Sequence, residues 1–284
     1  MSLPERLPER DTDRSDGAQS GPALRDVAVA VATEAAALVR VRRSEGVAVA
    51  ATKSTGTDIV TDTDTESEAL LLRRLAELRP GDGFLGEEGS GGGRESTTGV
   101  TWVVDPIDGT VNFLYGIAPY AVSVAAVDDR GESLAGAVVD VVSGEVYSAA
   151  RGEGASIDGH PLQVRQPVPM AERLILTGFQ YEAERRILQA QAVTRMIGQV
   201  RDIRRIGCAA LDLCAIARGA ADAYVEEGLH LWDRAAAQLV VCEAGGAVGV
   251  FPGVGGMECV LAAPTSTYDE VLDLVRDCGF LAED

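Results

Sequence analysis

The string WVVDPIDGTVNF, from Trp102 to Phe113, constrains this chain more than any other stretch. Its lead-in, VTWVVD, reads as a buried strand. That strand reaches Asp105, passes a proline and meets a second acid at Asp108, just before Gly109 and Thr110. Pro106 fixes φ, and Gly109 lets the backbone approach a ligand closely. Two carboxylates three residues apart repel each other and lose solvation where the strand ends. A divalent cation offsets both penalties. Thr110 then begins a helical turn whose free N–H groups, with that of Gly109, favour phosphate.

The surrounding elements alternate. Val27, Val31, Ala35 and Leu38 predict a helix from Leu24, closed by Arg40, Arg42 and Arg43. A second helix is expected from a Thr65–Glu68 capping box, with Leu71, Leu75 and Leu78 on one face and Pro80–Gly81 at its end. GFLG is a short strand, and YAVSVAAVDD, ESLAGAVVDVVSG and EVYSAARGEGASIDG are three more. In the second half, ERLILTGF, ADAYVEEG, AVGVF and ECVLAAP are strand-like. Helices are expected over 182–198, through Leu211 and Cys214, and in WDRAAAQLVVCEAGG. A last one starts near Thr267, with Glu270 completing a capping box. This interleaving predicts an α/β or α+β fold in stacked layers, its two halves meeting near residues 150–170.

The 284 residues suit one large domain or two packed halves. With 44 acids against 25 bases the formal net charge is −19, which disfavours a nucleic-acid surface and an anionic membrane. A phosphorylated small molecule remains compatible, because bound cations invert the local sign. The five cysteines include no CxxC pair, so a reduced cytosolic chain is expected, not a disulfide framework or a zinc knuckle. The polar N-terminus lacks the apolar core of a signal peptide and reads as a disordered tail over residues 1–21. No apolar run is long enough to cross a bilayer.

Further acids accompany the first pair. Glu87 and Glu88 follow the GFLG strand. Consecutive strand residues face opposite ways, and Glu87 is taken as the one facing the site. Asp233 sits where a helix begins, a position that suits an N-cap and a metal ligand alike. Asp58, Asp62 and Asp64 lie among threonines as turn or capping residues, one of them able to reach a cation or position a water. Lys53 alone reads as a solvated lysine, Trp232 as core, His230 as a strand-end residue and His160 as part of a turn. Any of these motifs alone fits a solvated turn or cap.

Together GEE, WVVDPIDGTVNF and WDRAAAQLVVCEAGG, in this order and spacing, resemble the inositol monophosphatase family of lithium-sensitive, Mg²⁺-dependent phosphatases. The resemblance spans about residues 22–280. It implies an αβαβα five-layer sandwich in one catalytic domain over 22–284, with an α+β half to about 155 and an α/β half after it. It also implies a cytoplasmic homodimer. By similarity, Glu87, Asp105, the Ile107 carbonyl, Asp108 and Asp233 bind two or three Mg²⁺ ions. Thr110 and Asp64 orient the attacking water, with Glu87 beside it. Asp108, Gly109 and Thr110 meet the phosphate, and Lys53 belongs to a loop near the site. Ala209 and Glu226 contact the rest of the substrate. Val225 departs from the family's Tyr-Tyr-Glu pattern, which affects local packing.

The expected reaction is hydrolysis of inositol 1-phosphate by direct attack of water. Fructose 1,6-bisphosphate, 3′-phosphoadenosine 5′-phosphate and histidinol phosphate are alternative substrates that Glu226 disfavours. A partly non-catalytic role, binding transcription or ribosome-maturation machinery, stands beside them.

Overall fold

The computed structural model describes residues 20–46, 49–52, 59–89 and 93–282. The expected tail therefore lies outside the described residues, as do Lys53 and Asp58. The exceptions are Ser20 and Gly21, which start the first helix. The elements in chain order are α1 (Gly21–Glu45), β1 (Val49–Thr52), β2 (Ile59–Thr61), α2 (Asp62–Leu78), β3 (Gly83–Gly86), β4 (Thr101–Asp108), α3 (Thr110–Tyr115), β5 (Ala121–Val127), β6 (Ser133–Asp140), β7 (Val146–Ala150), β8 (Ala155–Ile157) and β9 (His160–Pro161). The second half adds β10 (Leu174–Thr177), α4 (Ala183–Met196), β11 (Asp202–Arg204), α5 (Ala209–Ala217), β12 (Ala223–Glu227), α6 (Leu231–Glu243), β13 (Gly246–Pro252), β14 (Glu258–Pro264) and α7 (Tyr268–Asp277).

β3 to β9 form one sheet in sequence order, antiparallel except for the β3–β4 pair. The second sheet runs β11-β10-β12-β14-β13. Strand alternation distributes the apolar residues between layers. Trp102, Val104, Val122 and Val124 pack with Leu24, Val31 and Leu71 of α1 and α2. Val103, Ala125 and Val138 face the other way, onto Leu213, Ala236 and Val240 of α5 and α6. Those two helices also touch the second sheet through Tyr224 and Val260. On its far face, Ile175, Val225 and Leu261 meet Met196 of α4 and Val271 and Leu274 of α7. The result is helix, sheet, helix, sheet, helix, which is the expected layering. Both faces of each sheet are covered, so its strands carry near-continuous apolar runs. Among the described residues no helix is long and apolar enough to cross a membrane.

Several local expectations are corrected. α2 begins at Asp62, because Thr61 and Asp64 form the capping box. Thr65 lies inside the helix, and Leu78 is largely exposed. Glu68, one turn past Asp64, is consequently carried into the interior. EVYSAARGEGASIDG is two strands, with His160 starting a third after the turn. α7 has no side-chain cap, and Glu270 pairs with Arg173 instead.

Candidate active site

The first correction within the site concerns parity. Residues 105 and 108 of a regular strand would face opposite sides. Here β4 does not end at Asp105. It continues to Asp108 through a bulge: Asp105 pairs with Ser123 and Asp108 with Ala121. Three steps on β4 match two on β5, so both acids share a face. Pro106, which lacks an N–H to give to a ladder, sits in the bulge. The Ile107 amide donates to Asp105 Oδ1 at 3.0 Å and closes the kink.

After the bulge, Gly109 takes φ +90°, the left-handed region that suits glycine, and α3 starts at Thr110. A Cβ on Gly109 would stand 3.1 Å from the Gly207 carbonyl, where the second half closes over the first. Asp108 is held across that junction. Its Oδ2 accepts the Ala210 amide at 2.6 Å and the Cys208 thiol at 3.2 Å, both at the start of α5. Asp233 lies in the first turn of α6. There it accepts the His230 amide, so His230 is the N-cap and not a strand end. Trp232 is half-buried, stacked on His230 at 4.7 Å, and forms part of the site wall.

These elements surround one cleft of about 440 Å³, a size ordinary for a small-molecule site. Glu87, Asp105, Ile107, Asp108, Gly109, Thr110, Ala209, Glu226 and Asp233 all line it. Asp64 does not. It is fully buried behind the wall, where its Oδ1 lies 3.2 Å from Thr110 Oγ1 and its Oδ2 takes the Thr61 amide at 2.8 Å. Thr110 Oγ1 is also 2.9 Å from the Ile107 carbonyl. Asp62, exposed at the start of α2, does not line the cleft.

The electrostatics show what the carboxylates lack. Asp105 and Asp233 are pushed well above the usual range, first by burial, then by the facing carboxylates, Glu87 foremost. Asp108 rises to about 6, burial outweighing its bonds from Ala210 and Cys208. Acids that resist ionisation because they face one another suit a hard divalent cation. Four carboxylates and one backbone carbonyl are the oxygen donors such an ion takes. Among the described residues no three His, Cys, Asp or Glu are already drawn together as a metal cage.

The other end of the cleft is built by Glu226 with Gln180, Tyr181, Arg185 and Arg205. Glu226 is not a solvated surface residue: Tyr224 donates to its Oε2 at 2.7 Å, and burial lifts it to about 7. Arg205 is exposed in the cleft and partly offsets that rise. Sequence reasoning missed Arg205, Gln180, Cys208 and Glu68. The first three come from segments flanking β10 and β11, which carry no metal-ligand pattern.

Comparisons with known proteins identify the family and the fold. The sequence model of the Inositol monophosphatase family matches residues 23–270. The inositol-1-monophosphatase of Mycobacterium leprae is 48% identical over 225 residues, covering 76% of this chain and 77% of its own length. A Nus factor SuhB of Xylella fastidiosa is 40% identical over 187 residues, 66% of each chain. The solved structure of Mycobacterium tuberculosis SuhB superposes with a TM-score of 0.80 at 44% identity, over 93% of this chain and all of that one. The chain belongs to the inositol monophosphatase family, a family of phosphatases.

Proposed function

We propose that this phosphatase hydrolyses inositol 1-phosphate, or a closely similar polyol phosphate, with Mg²⁺ bound by Glu87, Asp105, the Ile107 carbonyl, Asp108 and Asp233. The observation that carries the reading is the convergence of four carboxylates, from the turn after β3, from β4 and from α6, on one cleft, beside a Thr110–Asp64 pair. When bound, such ions supply positive charge to the phosphate oxygens and lower the pKa of a water.

The chain's own groups do the rest. Thr110 Oγ1 has one proton and two acceptors within reach, the Ile107 carbonyl and Asp64 Oδ1. With the Ile107 oxygen engaged as a ligand, Asp64 remains to accept that proton. Thr110 Oγ1 then presents a lone pair to the attacking water. Thr61 holds Asp64 in place for this role. The amides of Gly109 and Thr110 face the phosphate. No Cys or Ser nucleophile is required: the Cys208 thiol is buried, donates to Asp108 and is raised well above its ordinary pKa, mainly by burial. Glu226 accepts a substrate hydroxyl, which favours a polyol over a bulky apolar leaving group.

Phosphate release from inositol 1-phosphate, fructose 1,6-bisphosphate, 3′-phosphoadenosine 5′-phosphate and histidinol phosphate, with Mg²⁺ or EDTA, tests this reading. Mg²⁺-dependent release with preference for inositol 1-phosphate supports it, and preference for another member overturns the role given to Glu226. The name of the Xylella relative motivates a second reading, in which the chain also binds transcription machinery. Asp105→Asn separates the two, because a binding surface survives that change and catalysis does not. A homodimer is the assembly proposed by similarity, and sedimentation of the purified chain tests it.

A further inference from the structure

α2 turns three consecutive polar contacts toward the cleft's back wall. Asp64 meets Thr110. One turn later, Ser67 Oγ donates to the Pro106 carbonyl at 3.2 Å. Glu68, next in the chain and fully buried, accepts the Glu88 amide on Oε2 at 2.8 Å. Gly86 completes the contact: a Cβ there would stand 2.3 Å from Glu68 Oε2, so β3 approaches the carboxylate as only a glycine can.

The geometry points to Glu68 as a positioning residue for the metal ligand Glu87, an inference that rests on the metal reading above. The anchored amide belongs to the peptide that joins Glu87 to Glu88. Fixing that peptide sets the direction in which the Glu87 side chain leaves the backbone. Gly86, on the other side of Glu87, packs closely against the same carboxylate. Glu87 therefore lies between a residue bonded to α2 and a residue packed against it, and α2 also carries Asp64. The sequence suggested a capping role for Glu68 with Thr65, which the Thr61–Asp64 cap takes instead. A side-chain oxygen that accepts this buried backbone N–H holds the peptide in place. One helix thus sets the Thr110 partner, the Pro106 bulge and the direction of Glu87.

Calorimetric titration of the metal-stripped full chain with MgCl₂ tests this without relying on turnover. Glu68→Ala should weaken Mg²⁺ binding by about 10–100-fold, the usual loss when a group behind a metal ligand is removed. At saturating Mg²⁺ its KM for substrate should match wild type. Glu68→Gln should bind Mg²⁺ close to wild type, because its Oε1 accepts the same amide. Gly86→Ala should weaken Mg²⁺ binding with Glu68 intact, and it remains informative if Glu68→Ala does not fold. Wild-type Mg²⁺ binding in both Glu68→Ala and Gly86→Ala overturns the inference, whatever their melting temperatures. A Glu68→Gln as weak as Glu68→Ala overturns the hydrogen-bond account. A wild-type chain that takes up no Mg²⁺ overturns the metal reading itself.

Discussion

The Ala210 amide donates to Asp108 Oδ2 at 2.6 Å, and this bond joins the first sheet's acid to the start of α5 in the second half. It occupies one carboxylate oxygen and leaves the other for a cation. Asp108→Asn keeps an acceptor for Ala210 and removes the charge. Mg²⁺-dependent phosphate release should fall by more than about 100-fold, beyond the usual effect of changing a group that only supports a metal ligand. Steady-state assays over a range of MgCl₂ check this.

Removing the metal should loosen the site as well as silence it. Without a cation, Asp105 and Asp233 face like charges in a buried place. A ligand that binds only the folded chain, present at about 100 times its Kd, stabilises it by about 2.7 kcal/mol. The melting temperature should therefore rise from EDTA to millimolar Mg²⁺ in wild type and hardly move in Asp108→Asn. An identical wild-type melting curve in both buffers would count against the shared site.

Thr110 offers a cleaner chemical probe than the acids. Thr110→Val removes the hydroxyl that lies 3.2 Å from Asp64 and keeps the branched shape. Loss of a positioned proton-transfer group lowers kcat by about 10²–10⁴-fold, while KM and Mg²⁺ affinity should hold. Thr110→Ser should restore much of the rate. Equal losses in the Val and Ser variants would point to packing instead of proton transfer.

Glu226 should discriminate substrates. Its carboxylate is held by Tyr224 and lines the cleft. Hydrogen bonds to charged groups contribute about 1.5–3 kcal/mol, so Glu226→Gln should lower kcat/KM for inositol 1-phosphate by roughly 10–100-fold at about 1.4 kcal/mol per factor of ten. Release from p-nitrophenyl phosphate, which offers no hydroxyl, should be unchanged. With a pKa of about 7, wild type should also lose polyol affinity as pH falls below that value, and Glu226→Gln should not.

Asp212 carries the pH prediction for stability. It is buried in α5, and neither side-chain oxygen has a hydrogen-bond partner of normal geometry. Burial raises it to about 9, with Glu226 and Asp108 adding to the rise and Arg205 and the Gly207 amide opposing it. The folded chain then binds more protons than the unfolded one. The contribution of this group is complete below the unfolded value of about 3.9 and is lost as pH climbs toward about 9. Asp212→Asn copies the protonated form and lacks that decline. Its melting temperature relative to wild type should increase from pH 5 to pH 9, and a constant difference would sink the assignment.

That the acids of the cleft come together was legible because strand, acid and glycine fall in one short string. Asp108 and Asp233 stand at element ends, where local rules apply. The same rules misplace what depends on phase or on distant contacts. Thr65 and Glu68 fit a capping box by spacing, while the helix starts one turn earlier and buries Glu68. Regular alternation separates Asp105 from Asp108, and only the bulge at Pro106 reunites them. Pro106 was the available signal. Arg205 and Gln180 reach the cleft by how two sheets pack, which no window of sequence contains.

The bonds that aim Asp108 span 100 and 102 positions of the chain. A growing polypeptide therefore makes all the first-half acids well before it makes the α5 turn that orients one of them. Until that turn arrives, the carboxylates are present but not aimed, and a cation has little reason to stay. On the proposed metal reading, loading waits for the late stages of synthesis, because a chain stopped short of residue 210 holds only the first-half acids and lacks Asp233.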